Sequence, residues 1–274
     1  MYSSGHIPYT VGLAQVLEYG MDEIAHIEEL IPELLVFNRH QQLWPEEWLE
    51  YLIQSAQGQL DLVTGFNDEA FSRQHQENLQ LILDKLRIRS TPICTTLVVD
   101  EILLQKAFEL GAFMDRPESA YLPSEYLELL RLGREKHQLQ ASGRKNLASY
   151  KFGIDQWLLR QLHQAEIPLL LGTDSGVMGV VPGYSIHDEL RILVENGFSP
   201  YEAIATGTVN AAVVVEKMVG DGNFGTIEVG KRADLLFMDN NPLEDVSAIQ
   251  DPRGVMAAGR WYSRDVLDKL ISLD

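Results

Sequence analysis

The sequence predicts an α/β chain with a β-rich tail, and three segments carry that prediction. The run Ile167-Pro-Leu-Leu-Leu-Gly-Thr-Asp-Ser-Gly176 is apolar and ends in a polar, glycine-flanked tip. Such a run fits a fully buried parallel strand with an acid at its C-terminal end. Residues 4–27 read as strand, helix, strand, with a histidine near the end of each strand. From Asn223 onward the texture changes to short strands separated by glycine turns, which sets a β-rich unit apart from the α/β body.

Taken in order, Ser3-Ser-Gly-His-Ile-Pro8 is a short strand end with His6 at its tip and Pro8 as a breaker. Residues 11–19 form an amphipathic helix stopped by Gly20. Residues 23–27 are the second short strand, ending near His26. Residues 28–90 are acidic and mostly helical in pattern. Pro45-Glu-Glu-Trp is a proline-then-acid helix start, and another helix begins at Asn67 and runs on through Leu86. Residues 90–99, rich in Thr, Val and Ile, read as a third strand. Residues 100–165 are again helical, with breaks near Pro117 and Pro123, and lead into the Asp174 strand. Residues 187–195 and 200–217 are two helices, divided by Asn196-Gly-Phe-Ser-Pro200 with Ser199 as N-cap. Residues 225–239 read as two strands joined by a Gly-Lys turn, and residues 255–262 as a hairpin. The boundary falls near Gly220, giving units 1–220 and 221–274, the second closing in a terminal helix.

Composition narrows the function classes. A chain of 274 residues, 45% hydrophobic, can bury a large core. A formal net charge of −18 argues against a nucleic-acid partner, which calls for basic patches. No apolar run approaches the roughly 20 residues of a membrane helix, and the first residues lack a signal-peptide pattern. The expectation is a cytoplasmic protein without a nucleic-acid or membrane partner. The single cysteine, Cys94, excludes an internal disulfide and reads as a small core residue rather than a nucleophile.

Asp174 is the residue on which chemistry turns. At the C-terminal end of a parallel strand, an Asp is a candidate metal ligand or proton carrier; the competing reading is a turn residue before Gly176. Other chemistries lack their motifs. There is no Gly-x-Ser-x-Gly elbow, no His-Glu-x-x-His and no Gly-x-Gly-x-x-Gly loop. His40, His75, His137 and His163 fall in helical or loop patterns without a partner and read as structural.

Four segments together resemble the metal-dependent amidohydrolase superfamily, in its imidazolonepropionase-like and Xaa-Pro dipeptidase-like branch. They are Gly5-His-Ile-Pro8, Gly20-Met-Asp-Glu-Ile-Ala-His26, Leu171-Gly-Thr-Asp-Ser175 and the tail from Pro200 to Gly259, with Gly225-Thr-Ile-Glu-Val-Gly-Lys-Arg-Ala-Asp-Leu236 at its centre. The resemblance implies an eight-stranded TIM-like β/α barrel with a small β-sandwich, of which this chain holds barrel strands five to eight and part of the sandwich. Carried over by position, the metal ligands are His6, His26 and Asp174, and the cofactor is a divalent metal, zinc first, one or two ions in the intact family site. Imidazole and carboxylate suit such ions. The implied reaction is hydrolysis of a C–N bond in an amide, cyclic amide or dipeptide-like small molecule, with Asp174 as the proton shuttle. Tyr9, Met178 and His187 are the expected substrate contacts; for His187, support behind the site or a plain place at a helix start are equal readings.

The chain departs from the family at its start. No His-x-His pair occurs anywhere, and too few residues precede Ser4 to hold four strands and helices. Three readings follow: a fragment of a longer enzyme, which the abrupt start favours; a chain completed by a partner, either a separate N-terminal half or a second copy; or an inactive, decayed barrel that binds or scaffolds.

Overall fold

A computed structural model of the chain describes residues 1–35, 73–141, 145–177 and 179–272. The helices expected from Pro45 and from Asn67 onward begin in 36–72, outside the described residues. The chain divides into two compact units, Tyr2–Leu169 and Leu170–Asp274, the latter taking in Met1. The change of texture near Gly220 falls inside the second unit.

The first unit is built on short parallel strands β1 (Ser4–Gly5), β2 (Glu23–Ile24) and β3 (Ile93–Cys94). β1 pairs with β2 through Ser4↔Glu23 and Gly5↔Ile24, and β2 pairs with β3 through Ile24↔Ile93. A fourth strand, β4 (Leu169–Leu170), follows β3 in the sheet order and lies where the chain passes from one unit to the next. Consecutive parallel strands need a crossover. Helix α1 (Leu13–Glu18) is the first, burying Leu13, Val16 and Leu17 on one stripe. After β2 come a 3-10 turn (Ile27–Leu30) and α2 (Ile31–Leu34), where Pro32 sits in the first turn without losing a helical hydrogen bond.

Helix α3 (Arg73–Arg89) buries Leu79, Ile82, Leu83 and Leu86. Beyond β3, helices α4 (Val98–Phe108), α5 (Leu110–Met114), α6 (Ser124–Arg131), α7 (Lys136–Ala141) and α8 (Lys145–Gln164) follow. In α8 the side chains Tyr150, Ile154, Trp157, Leu158 and Leu162 repeat every three or four residues and are buried, which is the stripe a core-facing helix needs.

The third strand is shorter than the β-branched run suggests. Val98 and Val99 belong to α4, whose first turn holds Asp100 and Glu101. Acids favour a helix N-terminus, and Thr96, at φ 56, turns the chain out of extended geometry first.

In the second unit, α9 (Ser185–Glu195) buries Leu190, Ile192 and Leu193. Ser199 then forms a capping box with Glu202 ahead of α10 (Pro200–Gly207). The expected helix 200–217 is two helices. Thr208 leaves helical geometry and its hydroxyl donates to the Ile204 carbonyl at 2.9 Å, before α11 (Val209–Val219) begins. The sheet β5 (Leu235–Phe237), β6 (Gly254–Ala257), β7 (Arg260–Ser263) is antiparallel. Ala258 and Gly259 both have positive φ in the two-residue turn between β6 and β7, as a tight hairpin requires. Residues 225–234 form no strand: Ile227 and Val229 point to solvent, without the half-buried face a strand needs. Helix α12 (Arg264–Ile271) closes the described chain. Among the described residues the parallel strands form no closed barrel, and no helix is long and apolar enough to cross a membrane.

Candidate metal centre

The parallel strands of the first unit end in a row of polar residues. One residue past β1 stands His6; two past β2 stands His26, in extended geometry as the cap of the 3-10 turn. Adjacent strands in parallel register bring the two imidazoles together, with ring centroids 4.7 Å apart and planes at 49°.

Each ring is held at one nitrogen. His6 Nδ1 lies 2.5 Å from Glu29 Oε1, while the other oxygen of Glu29 accepts the Ile7 N–H at 2.9 Å. His26 Nδ1 lies 2.8 Å from the Thr96 hydroxyl, just beyond β3. No hydrogen bond engages either Nε2 atom among the described residues. A metal-ligating imidazole typically uses one nitrogen for the metal and the other for a carboxylate, carbonyl or hydroxyl. The pair therefore fits two positions of a divalent-ion site. Among the described residues no group of three or more His, Cys, Asp or Glu side chains is gathered for a metal.

Two residues past His26, Glu28 belongs to a charge cluster. Lys151 Nζ on α8 sits 2.6 Å from Glu28 Oε2, 2.8 Å from Asp100 Oδ2 and 2.8 Å from Asp155 Oδ2. Lys151 and Asp155 are buried. Burial disfavours the lysine charge, but Asp100, Asp155 and Glu28 outweigh it and raise the Lys151 pKa well above the ordinary value. Burial pushes the Asp155 carboxyl well up, against the pull of Lys151. The Lys151 charge holds the Glu28 carboxyl below its ordinary value. Sequence reasoning missed this cluster, since only the Lys151–Asp155 spacing of four is visible in the chain.

In the second unit, Asp174 is exposed, with φ 47, and its carbonyl accepts the Val177 N–H at 2.9 Å. Thr173 and Ser175 share a hydroxyl hydrogen bond of 2.8 Å beside it. The turn geometry and an outward carboxylate coexist, because Asp tolerates left-handed backbone. His187, in the first turn of α9, is half-buried; its Nδ1 is buried and has no hydrogen-bond partner among the described residues. Burial lowers its pKa, with Asp188 opposing. Tyr9 is half-buried in the first unit. Met178 lies outside the described residues. Of the six expected site residues, the structure brings His6 and His26 into ring contact; Asp174 and His187 belong to the second unit.

A sequence profile of the amidohydrolase family matches residues 110–262, more than half of the chain. The ochratoxinase of Aspergillus niger is 32% identical over 119 residues, covering 43% of this chain and 22% of the relative. Among solved structures, a bottromycin amidohydrolase matches all of this chain and 52% of its own at a TM-score of 0.56 and 21% identity, a likeness of fold. An Xaa-Pro dipeptidase with methionine bound in its active site matches 93% of this chain and 58% of its own at a TM-score of 0.48 and 18% identity. The chain thus spans little more than half the length of these solved structures, and its match to the curated relative about a fifth of that protein.

Proposed function

Because this chain belongs to the amidohydrolase family, we propose that it is part of a metal-dependent hydrolase of C–N bonds in small amides, cyclic amides or dipeptide-like molecules. Residues 1–220 would supply the second half of a TIM-like barrel and residues 221–274 a β-sandwich segment. The observation that carries the reading is the His6–His26 pair, 4.7 Å apart with each Nδ1 held from behind. His6 and His26 would hold a divalent ion, zinc by their chemistry, through Nε2, and Asp174 would add a carboxylate ligand. When bound, such an ion polarises a carbonyl and acidifies water.

The chain's own residues would do the rest. Asp174 takes up a proton at its carboxylate as water attacks, then returns it to the departing nitrogen. Its exposed carboxyl on a left-handed turn supports that role. Tyr9, Met178 and His187 would line the substrate. Burial favours the neutral form of the half-buried His187 ring, which would pack against the substrate.

The test is hydrolysis of an Xaa-Pro dipeptide and of an ochratoxin by the full-length protein that contains this chain, with Asp174→Asn beside it. A loss of about a thousandfold or more in kcat is expected for removing an acid–base group; unchanged turnover would sink the assignment. A second reading is a decayed barrel that binds without catalysis. It predicts no hydrolysis and no tight metal even with the N-terminal half supplied.

A further inference from the structure

We propose that Glu29 and Thr96 are positioning residues that fix the Nδ1 side of His6 and His26, so that each ring offers Nε2 to the cation. The inference rests on the metal reading of His6 and His26, and reaches two residues that reading does not use.

Glu29 is placed by more than a surface attraction. The His6 side chain is 66% exposed, but the Glu29 side chain against it is only 15% exposed. Both carboxylate oxygens are committed, one to the ring and one to the Ile7 N–H, the next peptide along. The backbone and the imidazole that follow β1 are thus held by one group. Glu29 lies in the 3-10 turn that His26 caps, so the acid that orients one ring is carried by the element that starts at the other. That turn is tied down by Glu28, whose carboxylate meets Lys151 at 2.6 Å.

Thr96 shows the same purpose at a backbone cost. A β-branched residue at φ 56 is an outlier, of the kind that persists where the surroundings require it. Thr96 is buried, and its hydroxyl meets His26 Nδ1 at 2.8 Å.

The chemistry follows from what each group can give. A carboxylate accepts and has no hydrogen to donate. Beside Glu29, the neutral ring of His6 must therefore carry its proton on Nδ1 and its lone pair on Nε2. A carboxylate partner also raises the basicity of the ligating nitrogen. Thr96 can accept from His26 in the same sense.

The experiment is two-bond ¹H–¹⁵N correlation of the histidine rings in the metal-free chain at alkaline pH, followed by a zinc competition titration. The wild-type chain is expected to show both rings as Nδ1–H tautomers. Glu29→Met should shift His6 towards Nε2–H and leave His26 alone, and Thr96→Val should do the reverse. Glu29→Gln, which keeps one acceptor for two donors, should shift the His6 tautomer less than Glu29→Met does. Zinc should bind about 10- to 100-fold more weakly in Glu29→Met and Thr96→Val. The one-ring-at-a-time pattern separates orientation from general damage, and if one variant fails to fold the other still decides. Wild-type rings in the Nε2–H form, or tautomers and zinc affinity that ignore both substitutions, would overturn the proposal. A wild-type chain that holds no zinc but shows the predicted tautomers would refute the metal reading for this chain and leave the positioning intact.

Discussion

Lys106→Met is expected to stabilise this protein at pH 7 and to leave its stability nearly unchanged at pH 10. Lys106, on α4, is fully buried. Its Nζ stands 3.2 Å from His137 Nδ1, which is 3.0 Å from Glu135 Oε1. Burial pushes the ammonium down from 10.5 to about 8; Glu135 opposes and Arg116 reinforces the shift. The sign follows from linkage. Below pH 8 the lysine is charged in folded and unfolded chains alike, and the folded state carries the full penalty. Between about 8 and 10.5 the folded chain has shed its proton and the unfolded chain has not, so stability climbs with pH. The difference in pKa is worth on the order of 3 kcal/mol. Methionine has a similar length and no charge; it removes the penalty and the bond to His137, worth about 1 kcal/mol. The variant should be more stable by about 2 kcal/mol at pH 7; at pH 10, still below the unfolded-state value of 10.5, roughly 1 kcal/mol of the penalty remains and cancels the lost bond, so the two proteins should be nearly equal. Urea unfolding of both proteins at the two pH values measures this, and groups common to both cancel in the difference. A variant weaker than wild type at pH 7, or a gap that does not change with pH, would refute the reasoning.

Three further outcomes are expected. Ser199→Ala removes the side chain that accepts the Glu202 N–H and should lower stability by about 1 kcal/mol in thermal melts, with Ser199→Asp close to wild type. Gly225→Ala would set a Cβ 2.6 Å from the Thr208 carbonyl oxygen at φ +88, whereas Gly230→Ala, at φ +96, meets open space; the first should cost clearly more by denaturant midpoint, and equal losses would contradict the packing. Lys151→Met takes the cation from Glu28, Asp100 and Asp155 and should cost about 3–5 kcal/mol at pH 7. That loss should shrink in acid as the carboxylates take up protons, so the same loss at pH 4.5 would show the cluster is not electrostatic in origin.

Local signals made much of the fold legible. The Leu13, Val16, Leu17 stripe, the Ser199 cap and the Ala258-Gly259 turn are each written in a few adjacent residues. Two lengths are misjudged, each for a local reason. Residues 98–99 look like strand by side chain, but Asp100 and Glu101 recruit them into α4. Residues 225–234 alternate like a strand without a face to bury. At the site, the proximity of His6 and His26 could be anticipated from parallel strands with a histidine after each. Their partners could not. Glu29 is 23 residues from His6, and Thr96 is 70 from His26. His137 reads as an ordinary polar residue until folding sets it against buried Lys106, 31 positions away.

Where the first unit departs from low-energy choices bears on function. Two departures adjoin the imidazole pair: Thr96 in left-handed backbone, and a lysine sunk among three acids, one of them two residues from His26. Hydrophobic side chains of similar volume often replace a buried ion cluster without loss of stability, so the cluster is weak evidence of a stability role. What it does mechanically is specific. Lys151 joins the turn after β2 to α4 and α8 through Glu28, Asp100 and Asp155, and that turn carries Glu29. A frame fixed at three points allows two imidazole rings to be held 4.7 Å apart in chosen orientations, which a loop with one anchor would not do. Glu29 and Thr96 both meet the rings at Nδ1, so the contacts that fix the rings leave Nε2 to bind.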